Sequence, residues 1–378
     1  MFSFTLLFLE ILASVQSAAV PTRSGLLKLP VKKLSIPMTQ QNSSQPFVIL
    51  KNTTQSGTSI TLRDVNDTFH YSEIALGVPP QNFRVMLDSG SADLWVSAKD
   101  CSNCPKDWKR FQSEESQTFR KTRRPFEVPY IGGSVSGVIA KDSFSIAGAV
   151  VKKQAFGLVK NAQLDFENPV DGILGLGPKS NSKNQKDNTP FENMINQDVI
   201  QDEVFAIYLD DSKDDSLLTL GGYDSSLIHG EMTWATIVDD KFWTVEVESL
   251  QIGNQTISKT GGTAFVDSGS SNINVPLEVF ESIKRVYAFD KIHPEVNLIK
   301  CADLPDLVFT INGVKFVVNS KQYTKFVRND PASGIEVCQL LLNGLDKDFW
   351  ILGDPFMQTR VVVFDSKMRR VGFASPKK

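Results

Sequence analysis

Only four cysteines and three histidines occur in the 378 residues of this chain. His70, His229 and His293 stand apart, and none lies beside a Ser or Cys motif of the kind that builds a nucleophile. No His-Glu-x-x-His spacing is present, and no Gly-rich loop of the phosphate-cradling type precedes a helical pattern. Nucleophilic, zinc-dependent and nucleotide-binding chemistries are therefore poorly supplied, and neither a metal nor a cofactor is expected. Beyond the N-terminus no apolar run is long enough to cross a bilayer as a helix. The chain ends Ser375-Pro376-Lys377-Lys378, without the hydrophobic tail of a lipid-anchor signal, so no membrane anchor is expected. Acidic residues are missing from positions 18 to 58, which carry Arg23, Lys28, Lys32, Lys33 and Lys51. After position 58 the balance reverses to 35 basic and 42 acidic residues. The formal charge of -3 thus conceals a basic segment ahead of an acidic body, a body unsuited to nucleic acid.

Residues 1–17 place Phe4, Leu6, Leu7, Phe8, Leu9, Ile11 and Leu12 before small residues at Val15, Ser17, Ala18 and Ala19, the pattern of a secretory signal. Glu10 within the apolar stretch and the lack of a basic start leave an unprocessed amphipathic N-terminus as the alternative. Sequons at Asn42, Asn52, Asn66 and Asn254 fit an oxidising secretory route, to the exterior or to a vacuolar or lysosomal compartment. Cys101-Ser102-Asn103-Cys104 lacks the second Cys or His pair that a metal site needs. A small structural disulfide is the better reading, with Cys301 to Cys338 as the second bridge.

Asp-Ser-Gly-Ser occurs twice, at Asp88–Ser91 and Asp267–Ser270, each time after an apolar run: Val85-Met86-Leu87, then Ala264-Phe265-Val266. One copy alone reads as a surface turn. A second element removes that reading, because Ile173-Leu174-Gly175 begins 85 residues after Asp88 and Ile351-Leu352-Gly353 begins 84 after Asp267. Each half of the chain carries both pieces in the same order. Between them, runs rich in Val, Ile, Phe and Thr alternate with Gly, Asn, Asp and Pro turns, as at 83–87, 136–139, 217–220, 242–247 and 360–364, which predicts a mostly-β fold. Helical pattern is confined to 190–197 and 277–286. Both tetrapeptides therefore fall at strand-to-loop junctions.

Two carboxylates brought together cannot both ionise cheaply, so they share a proton and titrate as a pair. One is then a base that activates water, and the other an acid that donates to a carbonyl oxygen. Gly90 and Gly269 permit the tight turn, while the hydroxyls of Ser91 and Ser270 are expected to orient the outer carboxylate oxygens.

These residues resemble the pepsin family of aspartic proteases over nearly everything after about Asn66. The resemblance rests on Gly77-Val78-Pro79-Pro80-Gln81, on the stretch Leu87 to Val96, and on Asp171-Gly172-Ile173-Leu174-Gly175-Leu176-Gly177. It continues through Gly221-Gly222-Tyr223-Asp224, Phe242-Trp243, the stretch Val266 to Ser271, and Trp350-Ile351-Leu352-Gly353-Asp354-Pro355-Phe356. It implies an all-β bilobal fold, two related barrel-like lobes with a peptide cleft between them, each giving one catalytic Asp, Asp88 and Asp267. Residues 59–228 would form the N-terminal lobe and 229–378 the C-terminal lobe. Tyr130 falls at the place of the flap tyrosine and Trp95 at that of the tryptophan supporting it. Gly132, Leu164, Ile173, Phe242 and Ser271 are expected to contact substrate. The basic segment 18–58 becomes a propeptide acting as an intramolecular inhibitor, with Lys32, Lys33 and Lys51 each a candidate partner for the catalytic carboxylates. Lys32-Lys33 is alternatively a processing site.

The resemblance implies a monomeric acid endopeptidase, made as a zymogen, that cleaves peptide bonds flanked by bulky apolar residues in peptide or protein substrates. Departures are local. Ile131 and Gly132 follow Tyr130 where the family has Gly and then a hydroxyl residue, which also leaves open a catalytically silent, peptide-binding homologue. Cys101 and Cys104 are closer than in vertebrate members and suggest a fungal-type pattern. A two-carboxylate glycosidase fits the acid pair but not its duplicated setting. With 35 basic residues in the body, a mildly acidic optimum and stability near neutrality are expected. Activity assayed after incubation at about pH 5 checks this, and irreversible loss there contradicts it.

Overall fold

The computed structural model describes residues 26–35, 68–164, 170–210, 216–259, 261–287, 298–301, 304–330 and 333–377. The expected signal segment, Lys51, and the sequons Asn42, Asn52 and Asn66 lie outside them. The fold is all-β and bilobal. An eight-stranded sheet runs in the order Lys32–Ser35, Thr68–Leu76, Gln81–Asp88, Gly172–Gly175, Leu94–Ser97, Ala149–Leu164, Gly133–Ile146 and Arg120–Tyr130. Thr68–Leu76 also pairs with Gly133–Ile146, which curls this N-terminal sheet on itself. Its C-terminal counterpart has the order Thr244–Val247, Gly262–Val266, Trp350–Leu352, Ile273–Pro276 and Leu342–Leu345. Beneath both, a six-stranded sheet takes Leu27–Pro30, Leu217–Leu220, Val204–Tyr208, Val361–Asp365, Arg370–Pro376 and Ile228–Thr236 from both halves of the chain. Val361–Asp365 lies inside this sheet and is buried at every residue, so its first four positions read as an unbroken apolar run rather than an alternation.

The matched spacings of the repeat are strand pairings. Gly172–Gly175 lies parallel to Gln81–Asp88 with Leu87 opposite Leu174, and Trp350–Leu352 lies parallel to Gly262–Val266 with Val266 opposite Leu352. In each lobe the residue before the Asp faces the Leu of Ile-Leu-Gly. The following strand closes the other side antiparallel, Leu94 opposite Leu174 and Ile273 opposite Leu352. The glycines ending the two elements are set by this crossing. A Cβ on Gly175 would stand 2.4 Å from the Asp93 nitrogen, and one on Gly353 would stand 2.3 Å from the carbonyl oxygens of Ser270 and Asn272.

Helices form where expected, at Pro190–Asn196 and Leu277–Tyr287. In the first, the Thr189 hydroxyl accepts from the Glu192 N-H at 3.2 Å and the Glu192 carboxylate accepts from the Thr189 N-H at 3.2 Å, with Pro190 just inside the cap. Both disulfides are present, Cys101 to Cys104 and Cys301 to Cys338. The basic segment forms two short strands where it is described. Leu27–Pro30 pairs with Leu217–Leu220, Lys32–Ser35 pairs with Thr68–Leu76, and Leu29 and Val31 are buried. Alternation decides this, since Leu29 and Val31 turn inward while Lys28 and Lys32 stay in water and pair with Asp224 and Glu73.

Gly175→Ala is expected to lower folding stability by about 3 kcal/mol or more, because backbone atoms cannot yield to the added methyl. Chemical denaturation measures it; a loss within 1 kcal/mol, roughly the ordinary surface range, contradicts the close crossing.

Candidate active site

Asp88 ends the strand Gln81–Asp88, and Asp267 follows the strand Gly262–Val266. The same turn holds each carboxylate: the Gly90 N-H donates to Asp88 Oδ1 at 2.9 Å, and the Gly269 N-H donates to Asp267 Oδ1 at 2.8 Å. These glycines face the opposite lobe. A Cβ on Gly90 would lie 2.6 Å from the Asp267 carboxylate, and one on Gly269 would lie 2.5 Å from Asp88 Oδ1. Glycine is required because the other carboxylate occupies the space, so the two Asp residues meet face to face.

Two residues that sequence reasoning passed over hold the turns together. The Ser89 N-H donates to Ser268 Oγ at 3.0 Å, and the Ser268 N-H donates to Ser89 Oγ at 2.9 Å. Each hydroxyl then donates onward, Ser89 to the Val266 carbonyl and Ser268 to the Leu87 carbonyl, both at 2.9 Å. Both side chains are buried. The repeat itself carried the signal, since the second position is Ser in both copies and a buried hydroxyl needs partners.

The symmetry stops at the outer oxygens. Ser91 donates to Asp88 Oδ2, as expected. Ser270 departs from expectation: its hydroxyl donates to the Asn272 carbonyl at 2.9 Å and accepts from Asn274 Nδ2 at 3.1 Å, not reaching Asp267. Asn274 supplies the competing donor on the adjacent strand Ile273–Pro276. Burial raises the affinity of both carboxyls for a proton. At Asp88 the rise is opposed by hydrogen bonds from Ser91 and Gly90. At Asp267 the charge of Asp88 adds to burial, and its carboxyl is held well above the usual range. The rise is the stronger at Asp267, so of the two carboxyls it holds the shared proton the more tightly.

Above the pair, Arg120–Tyr130 and Gly133–Ile146 form a hairpin whose two-residue turn is Ile131-Gly132. The Trp95 Nε1-H donates to the Tyr130 hydroxyl at 2.8 Å, and Trp95 packs on Trp108 with centroids 5.7 Å apart. Burial and the Asp88 charge push the Tyr130 phenol up, so it stays a neutral donor. Ile131 is 79% exposed at the tip. Leu164 sits opposite Gly133, next to the flap's turn, partly buried. Ile173 is not a surface residue of the cleft: it is 1% exposed, on a wholly buried strand between Met86 and Trp95. Its contribution is packing beneath Tyr130 and Leu164.

On the C-terminal side Phe242 stacks on Phe265 at 4.3 Å, and Phe265 on Phe349 at 4.6 Å. Phe265 stands two residues before Asp267 and, by the period of the strand, faces the same way. Ser271 is half-buried beside Ser270, and Asn254 is exposed in a turn. No helix among the described residues is long and apolar enough to cross a membrane.

A proton-sharing pair delivered by two related lobes beneath a closing hairpin is the construction of an aspartic endopeptidase. The chain belongs to that family: residues 69–376 match the family model described as eukaryotic aspartyl protease. It is 32% identical over 335 residues to pepsin II-2/3 of Oryctolagus cuniculus, covering 86% of this chain and 85% of that one. Cathepsin E-A of Xenopus laevis is 31% identical over 378 residues, covering 93% of each chain.

Because the folded state binds the Asp267 proton more tightly than the unfolded chain does, the associated stability is present below the ordinary carboxyl range. It is lost as pH rises through the raised folded value. Asp267→Asn cannot ionise. Calorimetry should show the variant gaining stability relative to the native chain between about pH 3 and about pH 7, by about 1 kcal/mol or more. An equal difference at both pH values contradicts the assignment.

Proposed function

We propose that Asp88 and Asp267 are the catalytic pair of an acid endopeptidase that hydrolyses peptide bonds without a covalent intermediate. The unequal hydrogen bonding of the two carboxylates carries this reading. Asp88, where hydrogen bonds from Ser91 and Gly90 favour the charged form against burial, takes a proton from water as the water oxygen attacks the scissile carbonyl carbon. Asp267 gives its proton to the carbonyl oxygen, leaving a neutral tetrahedral diol. The proton held by Asp88 then passes to the amide nitrogen, the C-N bond breaks, and Asp267 recovers a proton as the carboxyl product forms.

The groups bordering the pair favour apolar side chains on both sides of the cleaved bond. Ile131 and Leu164 border the flap, and Phe242, Phe265 and Phe349 offer stacked rings beside Asp267. Burial of such a side chain contributes about 1.5–3 kcal/mol. Tyr130 and Gly132 close from above and Trp95 holds the tyrosine in place.

The chain is read as a monomeric zymogen for secretion or an acidic compartment. It has a signal at 1–17, a propeptide at 18–58, lobes at 59–228 and 229–378, and glycosylation at Asn42, Asn52, Asn66 and Asn254. The strands at 27–35 supply a handle for the propeptide. Lys28 holds the Asp224 carboxyl down to about 2, so moderate acid leaves that contact intact.

Acidified full-length protein should digest casein, be blocked by a statine-type peptide analogue, and lose a propeptide detectable by N-terminal sequencing. Asp88→Asn should lower kcat/KM by about a thousandfold or more with analogue binding largely kept. Turnover near the native level in Asp88→Asn would remove the mechanism. Analogue binding with no proteolysis at any acidic pH would identify a silent homologue.

A further inference from the structure

The turn that carries Asp88 is gripped by a side chain from outside the repeat. Asn181 Nδ2 donates to the Gly90 carbonyl at 2.9 Å. Asn181 ends the short helical turn Lys179–Asn181, which follows the Ile-Leu-Gly strand of the N-terminal lobe. Asp93 fixes this loop, its carboxylate accepting from the Ser182 hydroxyl at 2.6 Å and from the Lys183 N-H at 2.7 Å. Two other carbonyls of the Asp88 turn are held by backbone, that of Asp88 by the Leu176 N-H at 2.8 Å and that of Ser91 by the Gly177 N-H at 2.7 Å. The Gly90 carbonyl is held by a side chain instead.

A grip on this oxygen is felt across the peptide. The Gly90–Ser91 unit is planar and trans, so its C=O and N-H point in opposite directions. Holding the oxygen fixes where the Ser91 N-H points, and the bond that the oxygen accepts polarises that N-H further. Burial raises the proton affinity of Asp88, and the groups opposing the rise include the Ser91 hydroxyl, the Gly90 N-H and the Ser91 N-H. In the C-terminal turn the corresponding Ser270 N-H goes instead to the Asp267 carbonyl at 3.3 Å. There the chain after Ile351-Leu352-Gly353 enters the helix Asp354–Met357, where the N-terminal lobe has the loop of Asn181. The ionisable groups around Asp88 are Asp267 from the facing turn and Tyr130 from the flap, with Asp93 near the tyrosine. On the loop itself Lys179 pairs with Glu192, and Lys183 is exposed.

We propose that Asn181 is a positioning residue for the catalytic pair: its amide clamps the Gly90 carbonyl and so aims the Ser91 N-H at the Asp88 carboxylate. The proposal rests on the proteolytic reading of Asp88 and Asp267. Asn181 acts through one peptide unit and makes its bond to the turn's backbone, not to a carboxylate. The inequality between the two carboxyls thereby has a source outside the repeated tetrapeptide. Loss of the clamp leaves the Ser89 and Ser268 bonds in place, since none of the four involves the Gly90 carbonyl. The pair stays assembled, while Asp88 loses part of what opposes its protonation.

Two readouts on the full chain test this: steady-state kinetics across pH, and the titration of 13Cγ-labelled aspartates by NMR, which needs no turnover. Asn181→Leu keeps a side chain of similar size but has no donor. It should lower kcat about tenfold and leave KM within about twofold. The acid limb of kcat/KM and the lower carboxyl midpoint should both rise by about half a pH unit. Asn181→Ala removes the donor without adding an apolar group, and should give the same shifts; it decides alone should Asn181→Leu not fold. A contact that only stabilises the loop would scale activity equally at every pH and leave the midpoint where it is, and that result overturns the proposal. Carboxyl midpoints that move as expected in a chain without proteolysis would defeat the proteolytic reading and leave the positioning role standing. Proteolysis with unmoved midpoints would do the reverse.

Discussion

The reciprocal bonding of Ser89 and Ser268 is the contact on which the rest of the molecule depends. Two carboxylates facing one another in a buried seam repel when ionised and are expensive to desolvate. Nothing in either turn alone would bring them together. The two serines lock the turns through both backbone N-H groups and two further carbonyls, at 2.9 to 3.0 Å, with neither hydroxyl left over. Because every polar group in the lock is satisfied from the opposite lobe, separating the lobes would leave buried donors and acceptors unpaired on both sides. Gly90 and Gly269 are consequences of the same approach, since any side chain there would strike the facing carboxylate.

A symmetric frame carries an unsymmetric charge distribution. The parallel pairing of each Asp-bearing strand with its Ile-Leu-Gly strand gives both lobes the same register. On that frame one serine turns toward its carboxylate and the other turns away, held by Asn272 and Asn274. The difference of one hydrogen bond, with the Asp354 charge near Asp267, makes unequal a pair that the backbone alone would make equivalent. Chemistry that moves protons in one direction needs that inequality.

Much of this is legible in the sequence. The doubled tetrapeptide and its almost equally spaced partners show the duplication because strand register is a matter of spacing, and spacing survives in sequence. The helix at 190–196 is visible through Thr189, Pro190 and Glu192, whose capping is local. The parts that escape depend on partners distant in the chain. Ser89 and Ser268 look like turn residues, and only their crossing between lobes reveals them as the lock. Ser270 reads as a copy of Ser91, but the lateral pull of Asn274 is tertiary. The family resemblance places Ile173 at the cleft, and the sheet covers it on both sides. His70 Nδ1 meets Asp354 Oδ2 at 2.8 Å from 284 residues away, and no local pattern pairs them. The segment at 27–35 stands out in sequence by its charge, and its alternation of Leu and Val with Lys is an edge strand's pattern.

If the serine lock creates the catalytic pair, its two hydroxyls act as one unit. A double-mutant cycle on kcat/KM with Ser89→Ala, Ser268→Ala and the double variant tests that most directly. Each single change should reduce kcat/KM by about a hundredfold, the loss typical when a 1 Å misplacement disturbs reacting groups. The double change should be little worse than either alone, because the first already breaks the crossing. Losses that multiply, with each serine contributing independently, would contradict the lock and place the origin of the pair elsewhere in the fold.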